Sequence, residues 1–168
     1  MLSFDVRTLE SKAAQVDGVL APDDPVWQED DPRPAAPIHV SGRLSTAGEG
    51  RYYFSGRVEG TYAGECRRCL AAASKGVDDQ VQFLFAEDGD EADDPDIFPV
   101  DARAAEVDLR PAVREHWLLA APTLLLCSDE CAGLCPRCGA DLNQGPCECP
   151  PAADSRWDAL RGAGGESR

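Results

Sequence analysis

Lysine and histidine are nearly missing from this sequence. Its 168 residues contain only Lys12 and Lys75, and only His39 and His116, against 31 acidic residues and a net charge of −15. Nucleic-acid binders usually carry a basic field, because phosphate contacts release counterions. Here RNA would be repelled over most of the surface, and any direct RNA contact would be confined to a local arginine patch, with Arg67, Arg68 and Arg137 as its candidates. A basic partner protein suits the charge better. With two histidines, a histidine-based mechanism has few candidates, and His116, beside Trp117 on a helical pattern, reads as a packed residue. The chain has no P-loop, dinucleotide glycine fingerprint, H-E-x-x-H or G-x-S-x-G. No catalytic residue, organic cofactor or small-molecule substrate is expected. Long hydrophobic runs are absent too: residues 117–126 are broken by Pro122 and fall well short of the roughly 20 residues a spanning helix needs. The opening Met-Leu-Ser-Phe-Asp-Val-Arg lacks a basic region followed by an apolar stretch, so no signal peptide is expected. The expectation is a cytoplasmic protein without membrane contact, in which thiols stay reduced.

Cysteine is present, and clustered. Eight in 168 are too sparse for a disulfide scaffold, and in a reducing compartment such clusters mean metal or redox chemistry. Cys66-Arg67-Arg68-Cys69 stands alone upstream; Cys127, Cys131, Cys135, Cys138, Cys147 and Cys149 crowd a single stretch. A C-x-x-C turn brings two thiolates onto one ion about 2.3 Å away, and Gly139 after Cys138 can take the positive φ that closes it. Cys147 and Cys149, two apart, project on one side of an extended chain. Cys127 and Cys131 are close enough to pair across a helical turn or tight loop. Eight thiols make two tetrahedral sites with no open position, the mark of structural zinc. The preferred division puts Cys66, Cys69, Cys127 and Cys131 on one ion. Cys135, Cys138, Cys147 and Cys149 then form a self-contained C-x2-C-x8-C-x-C finger. A rival division joins Cys127, Cys131, Cys135 and Cys138, leaving Cys66 and Cys69 with Cys147 and Cys149; the spacing allows both. Cys66 and Cys69 also have a thiol–disulfide or metal-handling reading, since flanking arginines favour a thiolate. Disulfide oxidoreductases, however, carry the pair at a helix N-terminus in a βαβ setting, and here it joins two β-like runs.

The rest of the chain reads as α+β: an antiparallel, barrel-like sheet with one main helix and a C-terminal zinc-ribbon-like finger. Leu2, Phe4 and Val6 alternate as in a strand, and a short helical or irregular piece follows over residues 9–16. Residues 17–37 hold five prolines and several acids and read as a solvated loop. Ile38, Val40 and Leu44, then Tyr52, Phe54, Val58 and Tyr62, alternate with polar residues as a hairpin. Gly56 and Gly60 on its apolar face suggest bulges or sharp curvature. Val77, Val81, Phe83 and Phe85 mark a third strand, so the Cys66/Cys69 turn sits at a sheet edge. Residues 87–96 include seven acids, read as a solvated loop or a docking strip for a basic partner. A short strand follows over residues 97–100. Asp108 reads as a helix N-cap, with Pro111 in the first turn, Leu109, Val113, Trp117 and Ala120 at helical spacing and Pro122 as the stop. The organisation expected is a domain over residues 1–126, a cysteine-rich zinc-binding segment over 127–150, and a partly disordered tail over 151–168 with Trp157 and Leu160 on a helical turn.

Several of these segments together resemble a known family. Gly64-Glu65-Cys66-Arg67-Arg68-Cys69-Leu70, the acidic stretch, the helix from Asp108-Leu109 through Glu115, and Cys131-Ala-Gly-Leu-Cys135-Pro-Arg-Cys138-Gly-Ala-Asp141-Leu-Asn143 are similar to the bacterial YceD family of large ribosomal RNA subunit accumulation proteins. The tail Asp154-Ser155-Arg156-Trp157 departs from the family's Asp-Pro-Arg-Trp at the proline. The resemblance implies a non-enzymatic factor in ribosome biogenesis, with a ribosomal protein or a precursor large-subunit particle as partner. It also implies that the Cys66/Cys69 pair can exist without the C-terminal finger, which favours the preferred division of ligands.

Overall fold

The computed structural model describes residues 1–48, 50–87, 96–100 and 105–150. The acidic residues 88–95 and the tail 151–168, with its expected helical turn, lie outside the described residues. The chain opens with a short strand β1 (Ser3–Asp5) and a helix α1 (Val6–Ser11) capped by the Asp5 side chain, which accepts from the Arg7 N–H. Strands β2 (Ala14–Leu20), β3 (Ile38–Gly48), β4 (Arg51–Glu65) and β5 (Ala72–Glu87) follow as an antiparallel meander, and β6 (Ile97–Val100) adds to β5 in parallel. A last strand, β7 (Glu106–Asp108), pairs with β1 and leads into helix α2 (Arg110–Ala120).

The alternation of apolar and polar residues works as expected in β3, β4 and β5. Ile38, Val40, Leu44, Phe54 and Val58 are wholly buried, while Tyr52, Tyr62, Val77, Val81, Phe83 and Phe85 are at most 8% exposed. The sheet does not close into a barrel: its order runs β2-β3-β4-β5-β6, and β2 and β6 remain separate edges. The expected bulges are absent at Gly56 and Gly60, and both glycines allow close packing. β4 and β5 pair without a register shift from Arg51 opposite Ala86 to Glu65 opposite Ala72, straight through Gly56 and Gly60. Gly56 faces Gly42 across the β3–β4 pair, and a Cβ on Gly56 would stand 2.2 Å from the Ser41 carbonyl oxygen and 2.5 Å from Phe54 Cζ, so the two glycines let the two backbones and the Phe54 ring approach closely. A Cβ on Gly60 would stand 2.6 Å from Trp117 Cζ3, so Gly60 is the seat of the helix's tryptophan. The irregularity in the meander falls elsewhere, between Thr46 and Gly48 at the β3–β4 turn.

Helix α2 covers the apolar face with Ala112, Val113 and Trp117. Its N-cap is Leu109 rather than the expected Asp108, whose carboxylate nevertheless accepts from the Arg110 N–H at 2.9 Å. The Trp117 ring stacks on Tyr62 with centroids 3.8 Å apart, and the Tyr62 hydroxyl donates to the Trp117 carbonyl. The proline-rich stretch is not a solvated loop throughout. Its first residues belong to β2, and Trp27, 6% exposed, joins the core. Trp117 Nε1–H donates to the Pro32 carbonyl at 2.8 Å, and Arg114 grips the Asp31 carboxylate at 2.6 and 2.9 Å. The Arg114 guanidinium accordingly holds the Asp31 carboxyl below its usual range. His116 is half-buried and paired with Asp79 at 3.1 Å. Among the described residues, no helix is long and apolar enough to cross a membrane.

The β3–β4 ladder stops at the pair His39–Glu59; past it one bond, from Ala35 N–H to the Thr61 carbonyl at 2.9 Å, still reaches β4, and the β4–β5 hairpin runs on as a two-stranded arm. The outer face at the base of this arm carries a charged ladder. His39 contacts Asp17 at 2.9 Å and Glu59 at 3.5 Å, and Arg57 pairs with Asp78. The hydrogen bond that His39 donates to the Asp17 carboxylate raises the His39 pKa above its usual value, with Glu59 adding to it against partial burial. For a raised histidine, the stabilisation is fully present below the unfolded pKa and fades as pH climbs through the folded one. Both partners are largely exposed, so the effect on stability is small. We expect an NMR titration to place His39 above about 6.5, and Asp17→Asn to bring it back down. An unshifted His39 in the parent chain would contradict the ladder.

Candidate metal centres

The β4–β5 arm ends in a tight turn built for thiols. Cys66 follows β4; its N–H donates to the Ala71 carbonyl at 2.7 Å, and its carbonyl accepts from the Leu70 N–H at 2.9 Å. Leu70 closes this turn at φ +61°, a left-handed conformation that costs a non-glycine residue about 1–2 kcal/mol. The second knuckle repeats the bond with the residue suited to it: Gly139, at φ +74°, donates to the Cys135 carbonyl at 2.9 Å. After α2, the chain returns along the arm, where the Leu125 carbonyl accepts from the Arg67 N–H at 2.9 Å. That contact delivers Cys127 and Cys131 to the first knuckle.

All eight cysteines fall into two groups of four, Cys66, Cys69, Cys127 and Cys131, and Cys135, Cys138, Cys147 and Cys149. Within each group every sulfur lies within 4.8 Å of the others. Of the two divisions the spacing allows, this is the one the geometry assembles. Cys66 Sγ lies 3.7 Å from Cys131 Sγ, and Cys69 Sγ 3.6 Å from Cys127 Sγ. A tetrahedron of sulfurs about 2.3 Å from a zinc ion has edges of about 3.8 Å, so the donor sets fit such an ion with little movement. The two groups differ in exposure. Cys66, Cys69 and Cys131 are at most 8% exposed and pack with Ala73, Leu126 and Leu134, whereas in the second group only Cys135 is buried.

Within each group the thiols ionise unequally. Burial opposes ionisation of Cys66, but the N–H groups of Arg68, Cys127 and Cys69 outweigh it and lower its pKa to about 6. The N–H groups of Cys138 and Arg137 bring Cys135 to about 6 likewise. At Cys69 the Ala71 N–H works in the same direction, yet burial and the sulfurs of Cys127, Cys131 and Cys66 push it up to about 12. Cys138, with burial, pushes Cys149 up to about 12. The Cys131 sulfur raises Cys127; at Cys147 the lowering by the Cys149 N–H is overcome by Cys135 and burial. In each group one thiol is lowered while others are raised by the sulfurs beside them, a conflict that a bound dication would remove.

Two links between the groups carry no sequence signature of metal binding. Leu134 N–H donates to the Arg68 carbonyl at 3.1 Å, and the Arg68 guanidinium donates to the Cys131 carbonyl at 2.9 Å. Asn143, in a single 3-10 turn (Leu142–Gln144), accepts from the Ala132 N–H at 2.8 Å and points Nδ2 at Cys131 Sγ, 3.5 Å away. The available clue was the Asp141-x-Asn143 spacing, which forms a local turn: the Asp141 carboxylate accepts from the Asn143 N–H at 3.0 Å.

This chain is similar to uncharacterized proteins of Mycobacterium bovis and Mycobacterium tuberculosis, each 29% identical over 120 residues. The alignment covers 70% of this chain and 58% of each relative, so the matched part is well short of the relatives' full length. No solved structure matches the chain significantly. Residues 54–162, from near the start of β4 through both cysteine groups, match the family described as large ribosomal RNA subunit accumulation protein YceD. The arm, the helix and the thiol groups are thus the matched part of the molecule, and the chain belongs to the YceD family.

Proposed function

We propose that this protein is a zinc-stabilised, non-enzymatic factor required for accumulation of large-subunit ribosomal RNA, acting as an adaptor for a basic ribosomal protein or a precursor large-subunit particle. The observation that carries this reading is the family match over the arm and both four-cysteine groups. Zinc is supported by the donor chemistry: four thiolates per site, no oxygen ligand and no open position suit a structural tetrahedral ion. Cys66, Cys69, Cys127 and Cys131 would hold one ion, and Cys135, Cys138, Cys147 and Cys149 the other. The ions supply cross-links and positive charge. In this division of labour residues 1–126 form the scaffold and lend Cys66 and Cys69 to the first ion, and residues 127–150 are the cysteine-rich zinc-binding segment. The net charge of −15 supports a basic protein partner over bare RNA.

Gradient sedimentation of cell extract is the test. The protein is expected to travel with precursor large-subunit particles and to leave them as salt is raised, because charge carries the contact. Recovery only from the free pool at low salt contradicts the proposal. A thiol–disulfide role draws support from the Cys66 thiol near 6. Against it, Cys66 and Cys69 are flanked by the sulfurs of Cys131 and Cys127 and stand in the turn between β4 and β5, not at the start of a helix. That role requires a readily reversible Cys66–Cys69 disulfide in the purified protein, detectable by alkylation before and after reduction.

A further inference from the structure

The two cysteine groups share no ligand, yet one exposed side chain spans them. Asn143 belongs to the loop between Cys138 and Cys147, inside the second group's span, while its amide reaches the first group. The orientation of that amide follows from its neighbours. Ala132 N–H, 2.8 Å away, can only donate, so Oδ1 faces it. The Asp141 carboxylate, 2.7 Å away, accepts, so the NH2 group faces it. One N–H of that group remains, and the sulfur of Cys131 lies 3.5 Å from the nitrogen. The backbone reinforces the contact. Leu142 N–H donates to the Gly133 carbonyl at 2.9 Å, and Gly133, at φ +76°, lies so close to Arg68 that a Cβ would stand 3.1 Å from its carbonyl oxygen.

We propose that Asn143 is a positioning residue that couples the two metal sites. When the second loop closes on its ion, Asn143 places an N–H on the thiolate of Cys131, and the first site then binds its own ion more tightly. The inference rests on reading both groups as metal sites. A hydrogen bond to a ligand sulfur favours the thiolate over the thiol and fixes its direction, which is how outer-shell partners tune metal affinity. Coupling of this kind is reciprocal, so an ion in the first site also favours loading of the second.

The test is zinc titration of the full chain against a chromophoric chelator. Alkylation mapping distinguishes loading at Cys66, Cys69, Cys127 and Cys131 from loading at Cys135, Cys138, Cys147 and Cys149. Asn143→Ala is expected to weaken the first site by about 10–100-fold while the stoichiometry stays the same. Asn143→Asp keeps an acceptor for Ala132 N–H but loses the donor, and is expected to weaken the first site at least as much. Emptying the second site with Cys147→Ser and Cys149→Ser should weaken the first, and adding Asn143→Ala on that background should change little more. Because Asn143 is exposed, its replacement leaves no buried cavity, and unchanged tryptophan fluorescence verifies the fold. An unaltered first site in Asn143→Ala, or full affinity in Asn143→Asp, overturns the proposal. A parent chain that binds no zinc at either group overturns the metal reading beneath it, before any variant is compared.

Discussion

Removing the metal with a strong chelator is expected to unfold residues 127–150 and loosen the turn after β4 while the sheet stays folded. The segment has little else to hold it. Its regular structure is one 3-10 turn and an isolated bridge between Leu134 and Asp141, and its aliphatic side chains Leu134 and Leu142 are only partly buried. Even full burial of two such side chains supplies only about 1.5–3 kcal/mol each. Structural zinc in small finger domains contributes about 10–16 kcal/mol at neutral pH, so ions bound here would dominate. The sheet is a separate case. Its core runs from Leu2 to Trp117 and includes none of the cysteines. Hydrogen exchange followed by mass spectrometry should show protection lost in 127–150 and kept in β3, β4 and β5. Full protection of 127–150 after complete metal removal, or collapse of the whole chain, would count against this division.

Trp117→Ala is expected to be the most damaging single change in the core, costing about 3–5 kcal/mol. For a chain of this size that lowers the melting temperature by roughly 6–20 °C. The ring is wholly buried, stacks on Tyr62, anchors the Pro32 carbonyl and fills the space above Gly60, so its loss strikes α2, the arm and the proline-rich wrap together. Gly60→Ala is the reciprocal change. With Trp117 in place, the added methyl overpacks the site and costs about 1–3 kcal/mol. In the Trp117→Ala background the methyl enters the vacated space, so its cost should shrink or vanish. Thermal unfolding of the two single variants and the double variant measures this. Simple additivity would mean that Gly60 is not the seat of the tryptophan.

Strands β3, β4 and β5 were legible because each has one buried face and one wet face, and a period of two reports that directly. Helix α2 was legible from its spacing and from Pro122, although the cap fell one residue later than its Asp suggested. Closure was not legible. A glycine on a buried face signals missing volume, and whether curvature or a neighbouring ring uses that volume depends on what packs above it. At Gly56 it was Phe54, and at Gly60 it was Trp117. The stretch over residues 21–37 misled for a related reason. Prolines and acids read as solvent-exposed, while its anchors are long-range: Trp27 in the core and Asp31 on Arg114. At the thiols, spacing alone left two divisions of eight cysteines open. The contact that chooses between them, Leu125 against Arg67, spans 58 residues of sequence and has no local pattern. The contact of Asn143 with Cys131 was not legible, because an amide near a sulfur has no motif of its own.

The central claim is that eight cysteines hold two structural zinc ions, four on each. Native mass spectrometry of the intact protein, purified without chelators, tests it most directly. The predicted result is two zinc ions per chain with all eight cysteines reduced and protected from alkylation. A metal-free chain with oxidised cysteines, or a single ion with Cys66 and Cys69 left free, would contradict it.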